Sequence, residues 1–394
     1  MYGLLTGVRV LELGQFILAP FCAQILGDLG AEVIKIEKIN GGDAARDNGP
    51  WDKKTGKALY YSCFNRNKKS IAINFRTDEG KEMIKKLAAE SDVFISNLRV
   101  GTLAKMGLSY ETLKEVNPKL IMLSGSGYGQ TGPEAERVAF DQIISYMGHW
   151  YKKMPDGSYT HGVGYPTDAF TALYAAISIL SALRYRDQTG KGMNIDLAMI
   201  GAILNMQSFN MANYAANQEE EVLPDSAPWG SFRTKDGAVN INASTAAMYP
   251  RLKKAVNIEL LDRPQYDLQE NRCRDFDLLA GAIEEWTMQH TSDEVDAIMK
   301  EAGVPCGKAR SWKEIFEDKQ LEHRNFFVPV EVNGIGELKF AAFPAIFEGM
   351  PYEKDQHAPD LGENSVDIMK NILGMNDGEI EKLPWQVNEK EILS

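Results

Sequence analysis

Asp168 stands where a polar loop runs into a long apolar segment, and a carboxylate at that point can serve in one of two ways. As the residue just before a helix it accepts hydrogen bonds from the first free backbone N–H groups, which is worth about 1 kcal/mol. In the other reading, those N–H groups and the helix dipole keep the carboxylate ionised, and it acts as a nucleophile that forms acyl anhydrides. The following stretch, Ala169–Arg186, is charged only at its end and apolar on nearly all sides, as a helix packed inside a sizeable domain is.

Other residues offer anion chemistry. Arg66, Lys68 and Lys69 form the densest basic run of an acidic chain, just ahead of an alternating segment that Arg76 closes. A solvated strand edge explains such a run as well as a binding site does. Gly41-Gly42-Asp43 with Arg46 is either a ligand turn or a structural turn closed by an Asp–Arg pair. Gly125 to Pro133, with four glycines, is either a backbone nest for an anion or simply a turn. The four cysteines (Cys22, Cys63, Cys273, Cys306) and five histidines (His149, His161, His290, His323, His357) show no metal-ligand or redox spacing, so no metal is expected.

These groups must be carried by elements. At 394 residues the chain predicts two domains, and 44% hydrophobic with 25% charged residues predicts a soluble globular protein. A net charge of −12 speaks against sequence-independent nucleic-acid binding, while leaving room for a small anion at a local basic patch. The first residues read as a strand and not a signal peptide, no stretch approaches the roughly 20 apolar residues of a membrane span, and the dispersed cysteines suit a reducing cytoplasm.

Val8–Leu13, Pro20–Leu29 and Glu32–Glu37 read as strand, helix, strand, the opening of a doubly wound α/β domain. The first turn reads Gly14-Gln15-Phe16-Ile17-Leu18-Ala19 and not G-x-G-x-x-G, which removes the main support for a dinucleotide site. Further strands are expected in Phe64–Phe75 and at Val93–Ser96, Leu120–Ser124 and Met193–Leu197, with helices near 77–90, before Met106, and over Met199–Ala216. Glu219-Glu220-Glu221 and Pro224 mark a linker. A smaller α/β domain is expected over 222–328, inserted between 1–221 and 329–394 of a Rossmann-like large domain.

Several segments together resemble one family. In order they are GVRVLELGQFILAPFCAQILGDLGAEVIKIE, GDAAR, FNRNKKSIAIN, SGSGYGQTGP, HGVGYPTDAF through RYRDQTGKGMNIDLAM, AGVPCG at Ala302–Gly307, and APDLGEN at Ala358–Asn364. Each is modest alone, but their order and spacing are similar to those of the family III CoA-transferases, the family of formyl-CoA transferase and carnitine CoA-transferase. The resemblance implies that Asp168 attacks an acyl-CoA thioester, passes through an acyl anhydride and an aspartyl-CoA thioester, and hands CoA to a carboxylic acid. It implies CoA contacts at Gln15, Phe16, Lys38, Ile73, Arg76, Asn97, Leu98, Lys105, Met106 and Phe140, with the cations as phosphate partners. It also implies a homodimer whose chains thread through one another as linked rings, the site lying between the large domain of one subunit and the small domain of the other.

Two departures bear on the substrate. Formyl-CoA transferases carry a tyrosine where this chain has Phe140, and a glycine run where it reads Ala227-Pro228-Trp229-Gly230-Ser231-Phe232. The second resembles carnitine CoA-transferase, so formate and oxalate are poor substrate expectations. An acyl pocket including Tyr165, Trp229 and Gly230, with Phe16, Phe140, Met206 and Met248 nearby, suits a bulkier or branched acid. The related 2-methylacyl-CoA racemases need a histidine where Phe140 stands, and phenylalanine accepts no proton. A non-catalytic acyl-CoA binding protein is the other alternative, and it would tolerate loss of Asp168.

Overall fold

Five apolar runs in the first half and a sixth beyond the long apolar segment become one parallel sheet. The computed structural model describes residues 1–154, 156–160, 162–219, 226–353 and 356–383. Its strands are β1 (Arg9–Leu13), β2 (Glu32–Lys38), β3 (Lys68–Ile73), β4 (Val93–Ser96), β5 (Ile121–Ser126) and β6 (Met193–Ala198). They pair in the order β3-β2-β1-β4-β5-β6, every pair parallel. Such strands are covered on both faces and therefore read as nearly continuous apolar runs.

Helix α1 (Leu18–Asp28) and helix α4 (Pro166–Thr189) cover one face, burying Ala172, Ala175, Ile179 and Leu183 against Val10, Ile95 and Ile121. The other face, with Leu11, Ile34, Ile71 and Phe94, is covered by α2 (Asp78–Ala89), by Tyr110–Val116 and by the late helix Ser365–Asn371. The chain divides into two compact units, Met1–Ser208 with Arg324–Ser394, and Phe209–His323.

The smaller unit holds an antiparallel sheet of β7 (Trp229–Arg233), β8 (Ala238–Asn242) and β9 (Cys306–Lys308). Val239 and Ile241 alternate inward and pack with Leu252, Leu279, Ile283, Val295 and Met299 from its helices. Arg272 is buried there and donates to the carbonyls of Ala227, Tyr266 and Asp267. After it, β10 (Phe327–Val332) and β11 (Gly336–Ala341) form a hairpin.

Strand β3 is an edge of the large sheet, and its outward backbone donors are taken by the distant end of the chain. Ser70 N–H donates to Asn364 Oδ1 at 2.9 Å and Ala72 N–H to Ser365 Oγ at 3.1 Å. Side chains from late in the sequence thus substitute for a neighbouring strand.

Several expectations need correction. Helix α4 is long and apolar enough, by length and composition, to cross a bilayer, against the expectation that no stretch is. Its buried stripe nevertheless packs on the sheet as a core helix does. The stripe is one-sided, with Leu173, Ile177 and Tyr185 about half exposed, so the helix is not enclosed all round. The segment 199–216 breaks at Gln207 into α5 (Met199–Met206) and a second helix, Ser208–Asn217. The linker expected at Glu220, Glu221 and Pro224, and the boundary at 222, lie outside the described residues.

Candidate active site

The order of the six strands places a crevice beside β1 and β4, because the connections leaving β1 and those reaching β4 run to opposite sides of the sheet. Open parallel sheets bind ligands there, beyond the carboxyl ends of the strands. The turn after β1 begins at Gly14, where a Cβ would come within 2.5 Å of Ala19 Cβ and 2.9 Å of Asn97 Oδ1. Asn97, at the end of β4, clamps the next residue: Gln15 N–H donates to its Oδ1 at 2.9 Å, and its Nδ2 donates to Gln15 O at 2.8 Å. Phe16 follows at φ 65°, a left-handed conformation rare for a bulky side chain, and its N–H donates to Asp43 Oδ1 at 3.2 Å. After β5, Gly127 lets the segment ending in Phe140 close in, since a Cβ there would lie 2.2 Å from Ala139 Cβ.

These turns enclose a cavity of about 340 Å³ whose lining includes Gln15, Phe16, Asn97, Leu98, Phe140 and Asp168. The Phe16 and Phe140 rings meet edge to face with centroids 6.4 Å apart. Six of the residues expected at the site therefore share one hollow.

Asp168 does not cap its helix. Helix α4 starts at Pro166 with Tyr165 as the flanking residue, which puts Asp168 in the first turn. The capping acceptor comes from elsewhere: Asp168 N–H donates at 2.8 Å to Oδ2 of Asp141, a buried residue that opens helix α3 (Asp141–Met147). Ser145 Oγ bonds to Asp141 at 3.3 Å and to Thr167 Oγ1 at 2.6 Å, so the two helix starts are tied together. Among the described residues no donor reaches the Asp168 carboxylate. Burial first, and then the charge of Asp141, push its pKa up to about 7. This reverses the expectation that the helix terminus holds it ionised. Desolvation and a like charge outweigh the dipole.

The remaining expected positions lie elsewhere. Lys38 ends β2, Arg76 follows soon after β3, and Lys105 ends a short helix, Thr102–Lys105, further along from β4; all three are exposed, with no ion pair among the described residues. None of the three lines the cavity. The Ile73 side chain is buried in the core below it, and Met106 packs partly buried against the same cluster. Tyr165 is half exposed, its ring edge-on to Tyr60 at 6.2 Å. Trp229 and Gly230 lie on β7 of the smaller unit, Trp229 half exposed and Gly230 at φ 157°.

The open alternatives also resolve. Arg66 pairs with Asp28, Lys68 with Glu12 and Lys69 with Glu32, and the first two are buried, so that basic run is neither a solvated edge nor a phosphate patch. Asp43 pairs with Lys35 and Arg46 with Glu37, which makes the Gly41–Arg46 turn structural, though not through an Asp–Arg pair. In the glycine-rich loop, Gly129 N–H donates to Ser126 Oγ and Gln130 N–H to both oxygens of Asp196. The nest holds the protein's own carboxylate. Sequence reasoning missed Asp141 as a partner of Asp168. An acidic residue opening a short helix that carries Ser145 one turn later was the available signal.

Residues 5–365 match the family model described as CoA-transferase family III. The chain is 33% identical over 389 residues to a succinyl-CoA–D-citramalate CoA-transferase of Chloroflexus aurantiacus, covering 96% of each. It is 33% identical over 387 residues to a succinyl-CoA:glutarate CoA-transferase of Mus musculus, covering 96% of this chain and 88% of the relative. Among solved structures, a CAIB/BAIF family protein from Brucella suis superposes with a TM-score of 0.84 at 32% identity, covering 94% of this chain and 100% of the other.

Proposed function

The chain belongs to CoA-transferase family III, and from that premise we propose that it moves CoA from an acyl-CoA donor to a carboxylic acid through Asp168. The observation that carries this reading is a carboxylate that no donor among the described residues reaches, poised near neutrality, in the hollow at the sheet's switch point. A carboxylate is a weak nucleophile in water because it is solvated. Desolvated and held against a carbonyl, it becomes competent.

In the proposed sequence Asp168 attacks the donor thioester carbonyl, expelling CoA thiolate and leaving an acyl-aspartyl anhydride. The thiolate then attacks the aspartyl carbonyl of that anhydride, releasing the donor acid and forming an aspartyl-CoA thioester. The acceptor carboxylate attacks the thioester, again expelling thiolate. The thiolate takes the acceptor acyl group and restores the free aspartate. Each step breaks one acyl bond and makes another, so no oxidant, metal or nucleotide is consumed. Only the ionised fraction of Asp168 attacks, and its high pKa makes that fraction more basic.

The chain's residues fit a phosphorylated thioester. Lys38, Arg76 and Lys105 supply exposed positive charge with no ion pair among the described residues, and Phe16, Leu98 and Phe140 supply apolar wall beside Asp168. We take the donor to be succinyl-CoA and the acceptor a small di- or hydroxy-carboxylic acid, because the relatives named above use succinyl-CoA with citramalate and glutarate. We further propose a homodimer. The half-exposed Leu173, Ile177 and Tyr185 of α4 and Phe140, Ile143 and Met147 beside α3 form apolar surface that a second copy would cover. Its free cysteines suit a reducing compartment, and we place the enzyme in the cytoplasm.

Replacing Asp168 with alanine tests the reading. CoA exchange between succinyl-CoA and a panel of acids should vanish while acyl-CoA binding persists, and hydroxylamine should no longer trap an acyl-enzyme. Unchanged exchange in Asp168→Ala would refute the mechanism.

A further inference from the structure

Beneath the cavity floor lies a group of buried charges that the proposed reaction does not use: Glu12, Lys35, Glu37, Asp43 and Lys68. Lys35 Nζ sits 2.5 Å from Glu12 Oε1 and 2.9 Å from Asp43 Oδ2, and Lys68 Nζ lies 2.7 Å from Glu12 Oε2. Glu37 takes Arg46 at 2.6 Å and accepts Asp43 N–H at 2.9 Å. Burying so many charges is costly, and apolar replacements of such pairs are often neutral or stabilising. Stability alone therefore does not account for them.

The network reaches the turn after β1 at two backbone atoms. Lys35 Nζ donates to Gly14 O at 3.1 Å, and Asp43 Oδ1 accepts Phe16 N–H at 3.2 Å. The residue between, Gln15, is gripped on both its N–H and its carbonyl by Asn97. The backbone of the turn facing Asp168 is thus held at four points, and the Asp43 contact holds the one residue in it with positive φ.

We infer that Asp43, with Lys35 behind it, is a positioning residue for CoA transfer: it fixes Gln15 and Phe16 in their reactive placement before substrate arrives. The inference rests on the reading of Asp168 above. A wall set in advance needs no reorganisation at the moment of reaction, and misplacement of about 1 Å can cost on the order of a hundredfold in rate. The charge on Asp43 serves to hold its carboxylate in register against Lys35, and the carboxylate oxygen serves the Phe16 amide.

Two double variants with the same net charge separate positioning from stability: Lys35→Met with Asp43→Asn, and Lys35→Met with Asp43→Leu. Both remove the ion pair, but only asparagine keeps an oxygen for the Phe16 amide. Asp43 Oδ1 also accepts Ala45 N–H at 2.9 Å, so the leucine version should have the lower Tm, and both are assayed well below their Tm values. At saturating succinyl-CoA the leucine version should show kcat lower than the asparagine version by about tenfold or more. Equal kcat in the two would overturn the inference. Hydrogen exchange on the unliganded wild-type protein is a second measurement that depends on no variant. The Phe16 amide should be strongly protected, and exchange at the rate of an open loop would overturn the inference equally. If the wild-type protein transfers no CoA, the reading of Asp168 fails, and the Phe16 protection still decides whether the turn is held in advance.

Discussion

Asp168 should destabilise the fold that carries it, and Asp168→Asn measures by how much. Its carboxyl rises from 3.8 to about 7 on folding, roughly three pH units, which at 1.36 kcal/mol per unit sets an upper bound of about 4 kcal/mol. The side chain is only half-buried, so water screens part of this and about 2–3 kcal/mol is the reasonable figure. The sign follows from proton affinity. The folded state holds the proton more tightly than the unfolded chain, so the favourable contribution is complete below about pH 4. It is lost as pH rises through about 7. Asparagine cannot ionise and escapes this loss. Thermal unfolding of both proteins at one fixed concentration, without CoA, should show the variant's advantage growing by about 2 kcal/mol between pH 5 and 8.5, or about 2–4 °C in Tm for a unit of this size. An advantage that stays constant across that range would mean that folding does not raise the Asp168 pKa. So would a wild-type protein that is the more stable at pH 8.5, the result expected if the carboxylate were a helix cap.

The same electrostatics should appear in catalysis. kcat/KM should rise with pH through an apparent pKa near 7, and Asp141→Asn, by removing the neighbouring charge, should shift that limb about one unit lower; an unmoved limb would mean that Asp141 does not set it. Lys38→Ala, Arg76→Ala and Lys105→Ala should each raise KM for acyl-CoA by about 5- to 30-fold with kcat nearly unchanged, and should flatten its dependence on salt; a fall in kcat at constant KM contradicts a phosphate-binding role. Gly127→Val should cut kcat/KM about tenfold or more while circular dichroism is preserved, because its Cβ would fall 2.2 Å from Ala139 Cβ and push the Phe140 wall aside.

The parallel sheet was legible because strands covered on both faces announce themselves as apolar runs, and EVIKIE and VFIS gave their spans to within a residue. Short helices such as Tyr110–Val116 were not, since two turns are too few for a 3.6-residue period to show. At the site, family motifs brought Gln15, Phe16, Asn97, Leu98, Phe140 and Asp168 to one cavity. What stayed hidden was every through-space effect. Whether an acid is raised or lowered depends on neighbours distant in sequence, as Asp141 is from Asp168 and Asp43 from Phe16. Lys68 read as solvated because lysine usually is, and its acceptors Glu12, Pro20 O and Asn65 Oδ1 explain why it can be buried.

The tie between the outer strand of the large sheet and the side chains of Asn364 and Ser365 sets a condition on biosynthesis. While the ribosome is still making the smaller unit, the nascent amino-terminal half presents Ser70 and Ala72 with bare amide hydrogens on an apolar ladder, the kind of template on which chains stick to one another. Chaperone dependence should therefore peak late in translation. Messages truncated between the Ala198 and Asn364 codons should yield inclusion bodies, even though every strand of that sheet has already been synthesised.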